Sequence, residues 1–480
     1  MPSGIPSMIN KIKKDSRILF ETISNLGSEL KMPVYIVGGY VRDLYLGNEG
    51  FDIDFVVIGD ALKLCTELKK RISAGSLVSY PRFGTCMLCY QNHKLEFVTA
   101  RTETYQKNSR KPSIIKADLF SDLSRRDFTI NTLVMEIQPD RFGQIIDPYD
   151  GKKDIDAGII RTPLEPHQTF SDDPLRMMRA IRFSTQFNFT IDSETFQAIT
   201  ETANRLEIIS QERITAEFNK ILMADLPSNG IKLLNQSGLL NIFFPELTKT
   251  QGVEQRESHH HKDVYFHTLQ VLDNIAQTTD NLNLRLAAIF HDIAKPKTKR
   301  FNKKTGWTFH GHEVVGERMS ASILHRLRYG NETIDYVCKL VRLHLRPMSL
   351  VKEEVTDSAI RRLLFLSGEE FEDLMLLCRA DITSKNRYTV DQYLNNYEIV
   401  LKKAKEVEEK DKIRSFKCPV DGHEIMTLFN LAPGPEVGKI KKIIEEAILS
   451  GEIPNEHDTA VTYITNLQKQ MQDDQDILKK

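Results

Sequence analysis

The 480-residue sequence predicts an α+β protein, with a small α/β domain at the N-terminus and a mostly helical remainder. Short apolar runs bounded by turn residues recur up to about residue 99. Apolar residues at helical spacing take over from about residue 166. The length also exceeds what one hydrophobic core usually spans. The expected divisions are 1–150, 151–255, 256–390 and 391–480.

Leu19, Ile23, Leu26 and Leu30 return every three to four positions, with Ile18 beside the first, and predict a helix over 15–31, stopped before Pro33. A short strand over 34–37, a Gly38-Gly39 turn, a helix over 40–46 and a strand over 51–58 follow. Further strands are expected at 75–79, 84–91 and 93–99, and the domain closes near Asp147-Pro148. Beyond 166, the sets Leu175, Met178, Ile181 and Ile214, Phe218, Ile221 each mark one helix face, and Ile231 with Leu234 continues the pattern. A charged stretch over 402–412 leads into tail helices punctuated by Pro433, Gly434 and Pro435.

Sixty-five basic residues against sixty-six acidic ones give a net charge of -1, so any polyanion must be met by local patches. The stretch Lys295, Lys297, Lys299, Arg300, Lys303, Lys304 is one such patch, with Phe301, Trp307 and Phe309 interleaved. A solvated loop is the plainer reading of it. Cys86 and Cys89 form the only CxxC. Without a second pair they read as ordinary strand residues in a reducing compartment. The first fourteen residues lack the apolar run of a signal peptide, and no later stretch reaches membrane-span length. A soluble, cytoplasmic protein is expected.

Gly38-Gly39 between a strand and a helix allows backbone amides to approach a phosphate. Thirteen residues after Gly39, Asp52 and Asp54 alternate with Phe51, Ile53 and Phe55. A period of two puts both carboxylates on one strand face. Paired acids on a rigid face suit Mg²⁺, which completes its shell with water and substrate phosphates. Glu96 is a candidate third ligand. The competing reading is a solvated acidic pair at a strand edge.

The run GGYVRDLYLGNEGFDIDFVV, containing Arg42 and Asp43, resembles the head motif of the class II tRNA nucleotidyltransferase and bacterial poly(A) polymerase superfamily. A second block, Arg125-Arg126-Asp127-Phe128-Thr129-Ile130-Asn131, is similar to the family's nucleotide-binding block. The resemblance implies phosphate contacts for Arg125 and Arg126, a ribose contact for Asp127, and a place for Asn131 in the same site. The third block holds Asp173, Arg176 and Arg179, with Asp172 where the family has Glu. Three residues apart, Asp173 and Arg176 are expected on one helix face. Asp can accept from the amino group of cytosine or adenine while Arg donates to the adjacent ring nitrogen. A surface ion pair between the two is the alternative. The polar segment 101–112 matches a loop that, in the family, accompanies the switch from C to A addition. Glu212, Arg213, Ile214, Glu217 and Lys220 resemble its helix-stabilising block.

His267, the adjacent pair His291-Asp292, and Asp381 offer imidazole and carboxylate ligands in an order that suits a transition metal. That order resembles the HD phosphohydrolase superfamily, in which His312 and His344 occupy the places of further ligands for a second ion. The run 259–261 reads as surface histidines. Together the resemblances imply a polymerase-β-like nucleotidyltransferase head, a helical neck and body, and an HD domain. The expected activity is two-metal addition of CCA to the 3′ end of tRNA from CTP and ATP. The expected cofactors are Mg²⁺ in the head and a transition metal in the HD site. A poly(A) polymerase or A-adding enzyme is the nearest rival. An HD phosphohydrolase with a nucleotide-binding head and a non-catalytic RNA-binding protein are rivals of other classes.

Overall fold

A computed structural model describes residues 8–106, 109–257, 260–304, 306–352, 356–383, 386–411 and 417–477. The chain forms two compact units, Met1–Pro245 and Glu246–Lys480. Among the described residues no helix is long and apolar enough to cross a membrane.

In the first unit, α1 (Lys14–Glu29) buries Leu19, Phe20, Ile23 and Leu26 on one stripe, while Ile18 faces outward. It leads into β1 (Val34–Val37), α2 (Gly39–Tyr45), β2 (Asp52–Val57) and α3 (Ala61–Arg71). Asp60 caps α3 by accepting from the amides of Leu62 and Lys63. Then come β3 (Leu77–Tyr80), β4 (Thr85–Tyr90) and β5 (His93–Thr99). After a hairpin of β6 (Arg101–Gln106) and β7 (Ser109–Lys116) come α4 (Leu119–Ser124), β8 (Val134–Glu136) and β9 (Ile145–Ile146). The sheet order is β3-β4-β5-β2-β1-β8-β9.

Only β2 and β5 run parallel in this sheet. A parallel pair needs a crossover, which α3, β3 and β4 provide. The register sets Asp54 beside Glu96 and Phe55 beside Phe97. The two phenyl rings stack at 4.6 Å on the buried face. Packing on that face therefore fixes which way the acids on the other face point.

Two expectations need correction. The polar segment 101–112 is not a loop but lies within the β6–β7 hairpin, closed at its base by the Ala117 amide donating to the Ala100 carbonyl. Its side chains over 103–114 lie outside the described residues. Cys86 is not an unlinked strand residue, because a disulfide joins it to Cys65 on α3. The partner lies 21 residues upstream on a helix that packs across the strand, so the CxxC spacing carried no sign of it. Cys89 is free and exposed.

The helix Leu175–Phe187 ends at Asn188 in the left-handed region and packs against the helix Gln211–Leu222. Glu217 is buried between them and pairs with Arg182 at 2.6 Å and with Lys220 at 3.1 Å. Breaking a buried pair of this kind costs about 3 to 5 kcal/mol, because it strands a charge. The helix Pro227–Gln236 closes onto the same pair through Gly230, where a β-carbon would stand 2.4 Å from Ile221. The helix carrying Arg176 and Arg179 is thus clamped from two sides.

The second unit is helical apart from two small hairpins among the described residues. Arg285 is fully buried and donates to the Ala276 and Thr279 carbonyls, closing the end of the helix Val264–Ala276. Val420, Ile425, Ile444, Ile448, Ala460 and Ile464 form a separate core for the last three helices.

Candidate active sites

The first site is a cavity of about 420 Å³ in the first unit. It is lined by Asp54, Glu96, Arg101, Arg125, Arg126, Asp127, Asp173, Arg176, Arg179 and Arg213, among others. Six guanidinium groups facing four carboxylates make it a receptor for a highly charged anion.

On the sheet side, burial pushes the Asp54 carboxyl pKa up, against the pull of Arg126 and with a further push from Asp52. Burial also raises Glu96, and Asp54 adds to it. Mutual repulsion and lost hydration are the strains that a divalent cation relieves, so the donor set fits one. Asp52 stands exposed at the start of the strand, outside the cavity lining. The three acids share a face without closing to the 4.8 Å spacing seen in the second unit.

The arginines are aimed by a residue that motif reading passed over. Asp122 is fully buried, and its Oδ1 accepts from Nε and Nη2 of Arg125 at 3.0 and 2.6 Å. Its Oδ2 accepts from Nη2 of Arg126 at 3.3 Å. One carboxylate at i−3 and i−4 thus fixes two adjacent guanidinium groups. Gly38, at φ 75°, leaves room for them, since a β-carbon there would lie 2.9 Å from Nη1 of Arg126. Its own amide donates to the Leu133 carbonyl and is not free for a phosphate. Gly39 sits behind it, and its β-carbon position would face Arg42.

Arg42 and Asn131 do not line the cavity. Arg42 is buried, donates to Asp43 and to the Asn131 side chain, and packs over Phe187. Asn131 in turn donates to Asp127 Oδ1 at 2.9 Å. Asp127 Oδ2 accepts from Arg179 Nε at 2.7 Å. Burial would raise the Asp127 pKa, but Arg179, Asn131 and Arg176 outweigh it and hold the carboxyl well below its usual range. These contacts form a relay from Arg42 to Arg179.

Asp173 is not on the helix face expected for it. It lies in extended conformation between two helices, and its Oδ1 accepts from the Leu175 amide. Its Oδ2 pairs with Arg213 at 3.3 Å, while Arg176 donates to the Arg125 carbonyl at 2.7 Å. Pro174 forces this break before the helix, and spacing of three alone did not reveal it. Asp173 and Arg176 still meet at the cavity without pairing to each other. Arg101 and Arg213, noted in the sequence only as parts of other blocks, line it as well.

The second unit gathers every HD-type residue named from the sequence. His267 Nε2 lies 2.8 Å from Asp381 Oδ1 and 3.4 Å from His291 Nε2. Asp292 reaches His291 through Oδ2 at 3.2 Å and His312 through Oδ1 at 3.3 Å. Two ligand sets result: His267, His291, Asp381 and Asp292, His312, His344. The Nδ1 atoms of His291, His312 and His344 face the carbonyls of Ala288, Phe309 and Val341. A carbonyl can only accept, so each Nδ1 carries the proton and each Nε2 points inward. His312 and His344 then meet Nε2 to Nε2 at 3.3 Å, an arrangement that a cation between them relieves. Burial disfavours charge on His291, yet Asp292 and Asp381 lift its pKa to about 10. Burial and repulsion from His291 push His344 down to about 3. Lys295, 2.6 Å from Asp292, was read from the sequence only as part of a basic stretch. Of the run 259–261, His259 lies outside the described residues, as do the side chains of the other two.

The fold and the first cavity define a nucleotidyltransferase-type head, and the His/Asp set defines an HD-type helical domain. Family models agree: the Poly A polymerase head domain matches residues 34–161, a probable RNA and SrmB-binding site of polymerase A matches 188–250, and the HD domain matches 264–383. The chain is 31% identical to an A-adding tRNA nucleotidyltransferase of Deinococcus radiodurans over 70% of its own length and 76% of that protein's. It is 29% identical to a CC-adding tRNA nucleotidyltransferase of Thermus thermophilus, covering 87% and 90%. The fold matches that of the Bacillus stearothermophilus CCA-adding enzyme solved with CTP, at a TM-score of 0.67 and 20% identity over 96% of this chain and all of that one. The chain belongs to the tRNA nucleotidyltransferase family.

If Asp122 aims both arginines, Asp122→Asn should raise the KM for nucleotide about 10- to 100-fold, the loss expected when charged hydrogen bonds are weakened. Steady-state kinetics with the variant checks this, and an unchanged KM would contradict it.

Proposed function

We propose that this enzyme builds the CCA end of tRNA, adding C and A from CTP and ATP without a nucleic-acid template. The observation that carries the proposal is that Asp173 and Arg176 reach one cavity without neutralising each other. Asp173 retains lone pairs for an exocyclic amine, and Arg176 retains N–H groups for a ring nitrogen. Cytosine and adenine present that pattern, and guanine and uracil present its reverse.

In this reading the triphosphate lies against Arg125 and Arg126, and Arg179 extends the positive wall. Asp127 positions Arg179 and lines the cavity, where the family resemblance implies a ribose contact for it. Arg42 and Asn131 support it from behind. Asp52 and Asp54, with Glu96 as third candidate, would hold Mg²⁺, which when bound supplies positive charge at the reacting phosphate. The tRNA 3′-hydroxyl oxygen bonds to the α-phosphorus, the α–β phosphoanhydride bond breaks, the hydroxyl proton passes to solvent water, and pyrophosphate leaves. Residues 1–150 are then the catalytic head, 151–255 the base-selecting and tRNA-binding neck and body, 256–390 the HD domain and 391–480 the tail. The enzyme would act in the cytoplasm, where its substrates are.

Relatives named for CC addition and for A addition lie at comparable identity, so product sequencing decides. Incubating tRNA that ends at its discriminator base with both nucleotides should yield CCA. Failure to add any C would leave an A-adding enzyme or poly(A) polymerase.

The two inward-facing ligand sets of the second unit support a phosphohydrolase as an additional activity. Transition-metal ions fit this donor set: His267, His291 and Asp381 would hold one, and Asp292, His312 and His344 another. With bis(p-nitrophenyl) phosphate and added metal, Asp52→Ala should retain hydrolysis while His291→Ala abolishes it. Equal rates in both variants would sink this reading.

A further inference from the structure

Between Asp292 and His312 the chain leaves the His/Asp set and returns to it. Both ends of this excursion are anchored there, Lys295 by its contact with Asp292 and Phe309 by accepting from His312 Nδ1. The excursion carries a hairpin of the strands Arg300–Asn302 and Gly306–Thr308. Phe301 and Trp307 are directly paired across it, with ring centroids 5.2 Å apart in edge-to-face contact. Both are large apolar side chains left in solvent, Phe301 at 65% and Trp307 at 41% exposure. The ammonium of Lys299 lies 4.4 Å from the Trp307 ring centroid. From Lys295 to His312 the sequence holds Lys295, Lys297, Lys299, Arg300, Lys303 and Lys304 and no acidic residue.

We propose that this hairpin is a nucleobase platform at the His/Asp set, stacking an unpaired base of a single-stranded RNA on Phe301 and Trp307 while the surrounding lysines hold its phosphates. The proposal builds on the hydrolase reading of the second unit and names its substrate class. An exposed aromatic pair offers little to a duplex backbone, whose bases are already stacked, but it suits any unpaired base. The basic residues supply attraction that is independent of sequence and sensitive to salt. Lys295 and Phe309, at the two ends of the excursion, contact Asp292 and His312, so the platform is tethered at both ends to the ligand sets.

Trp307 is the one tryptophan in the chain, so intrinsic fluorescence reports on the hairpin directly. Titration of the full-length protein with the trinucleotide CpCpA should quench it saturably. Phe301→Ala should weaken the apparent affinity about tenfold or more, and raised salt should weaken it further. An abasic trinucleotide of equal charge should leave the fluorescence largely unchanged. Equal quenching by the abasic strand, or an unaltered affinity in Phe301→Ala, would overturn the proposal. So would binding of intact tRNA without binding of the trinucleotide, which would mark a grip on duplex phosphates. If the parent quenches as described yet shows no metal-dependent hydrolysis, the hydrolase reading fails and the platform stands.

Discussion

Asp54 and Glu96 lie side by side on parallel strands because Phe55 and Phe97 stack beneath them, and the rest of the first unit answers the charge that this places at one sheet face. Buried carboxylates that repel each other are costly unless cations stand near. The chain supplies fixed cations across the cavity, but they are not free to collapse onto the acids. Arg125 and Arg126 are held by Asp122, Arg179 by Asp127, and Arg213 by Asp173. Positive and negative walls thus remain apart, leaving space between them for a substrate that carries phosphates and metal together.

Holding the walls apart requires stiffness, which comes from outside the cavity. The relay Arg42, Asn131, Asp127, Arg179 ties the end of α2 to the helix Leu175–Phe187. Glu217 and Gly230 then clamp that helix from its other faces. A β-carbon at Gly38 would press on Arg126, so the glycine turn admits a guanidinium, and the Gly38 amide is spent on the Leu133 carbonyl. Several residues in the nucleotide-binding motifs therefore act by placing others, and only some of them line the cavity.

The arrangement of elements was readable in the sequence wherever periodicity and punctuation coincide, as in α1 before Pro33 and in the alternation around Asp52 and Asp54. The HD-type ligands were readable for a different reason: histidine beside aspartate at a helix end is uncommon enough to stand out. What the sequence hid were contacts made at a distance or against the local pattern. Asp122 looks like any acid on a short helix, and only burial shows that it serves two arginines. Pro174 sets Asp173 off the helix to which a spacing of three assigned it. The β6–β7 hairpin has the polar composition of a loop, and its pairing lies in the backbone. Cys65 and Cys86 meet only because α3 crosses β4.

The second unit meets a related problem with imidazoles set beside two carboxylates, Asp292 and Asp381. Three helix-end or turn carbonyls engage the Nδ1 atoms and turn the Nε2 atoms toward each other, an arrangement that makes sense around a cation. In the first unit, the charges lining the cavity imply joint binding of nucleotide and divalent cation as one charge-matched set. Its most direct test is the affinity for CTP measured by calorimetry with and without Mg²⁺, in the parent protein and in Asp54→Asn. Mg²⁺ should tighten binding in the parent, and that gain should vanish in the variant while the metal-free affinity persists. A CTP affinity indifferent to Mg²⁺, or an equal gain in Asp54→Asn, would contradict it.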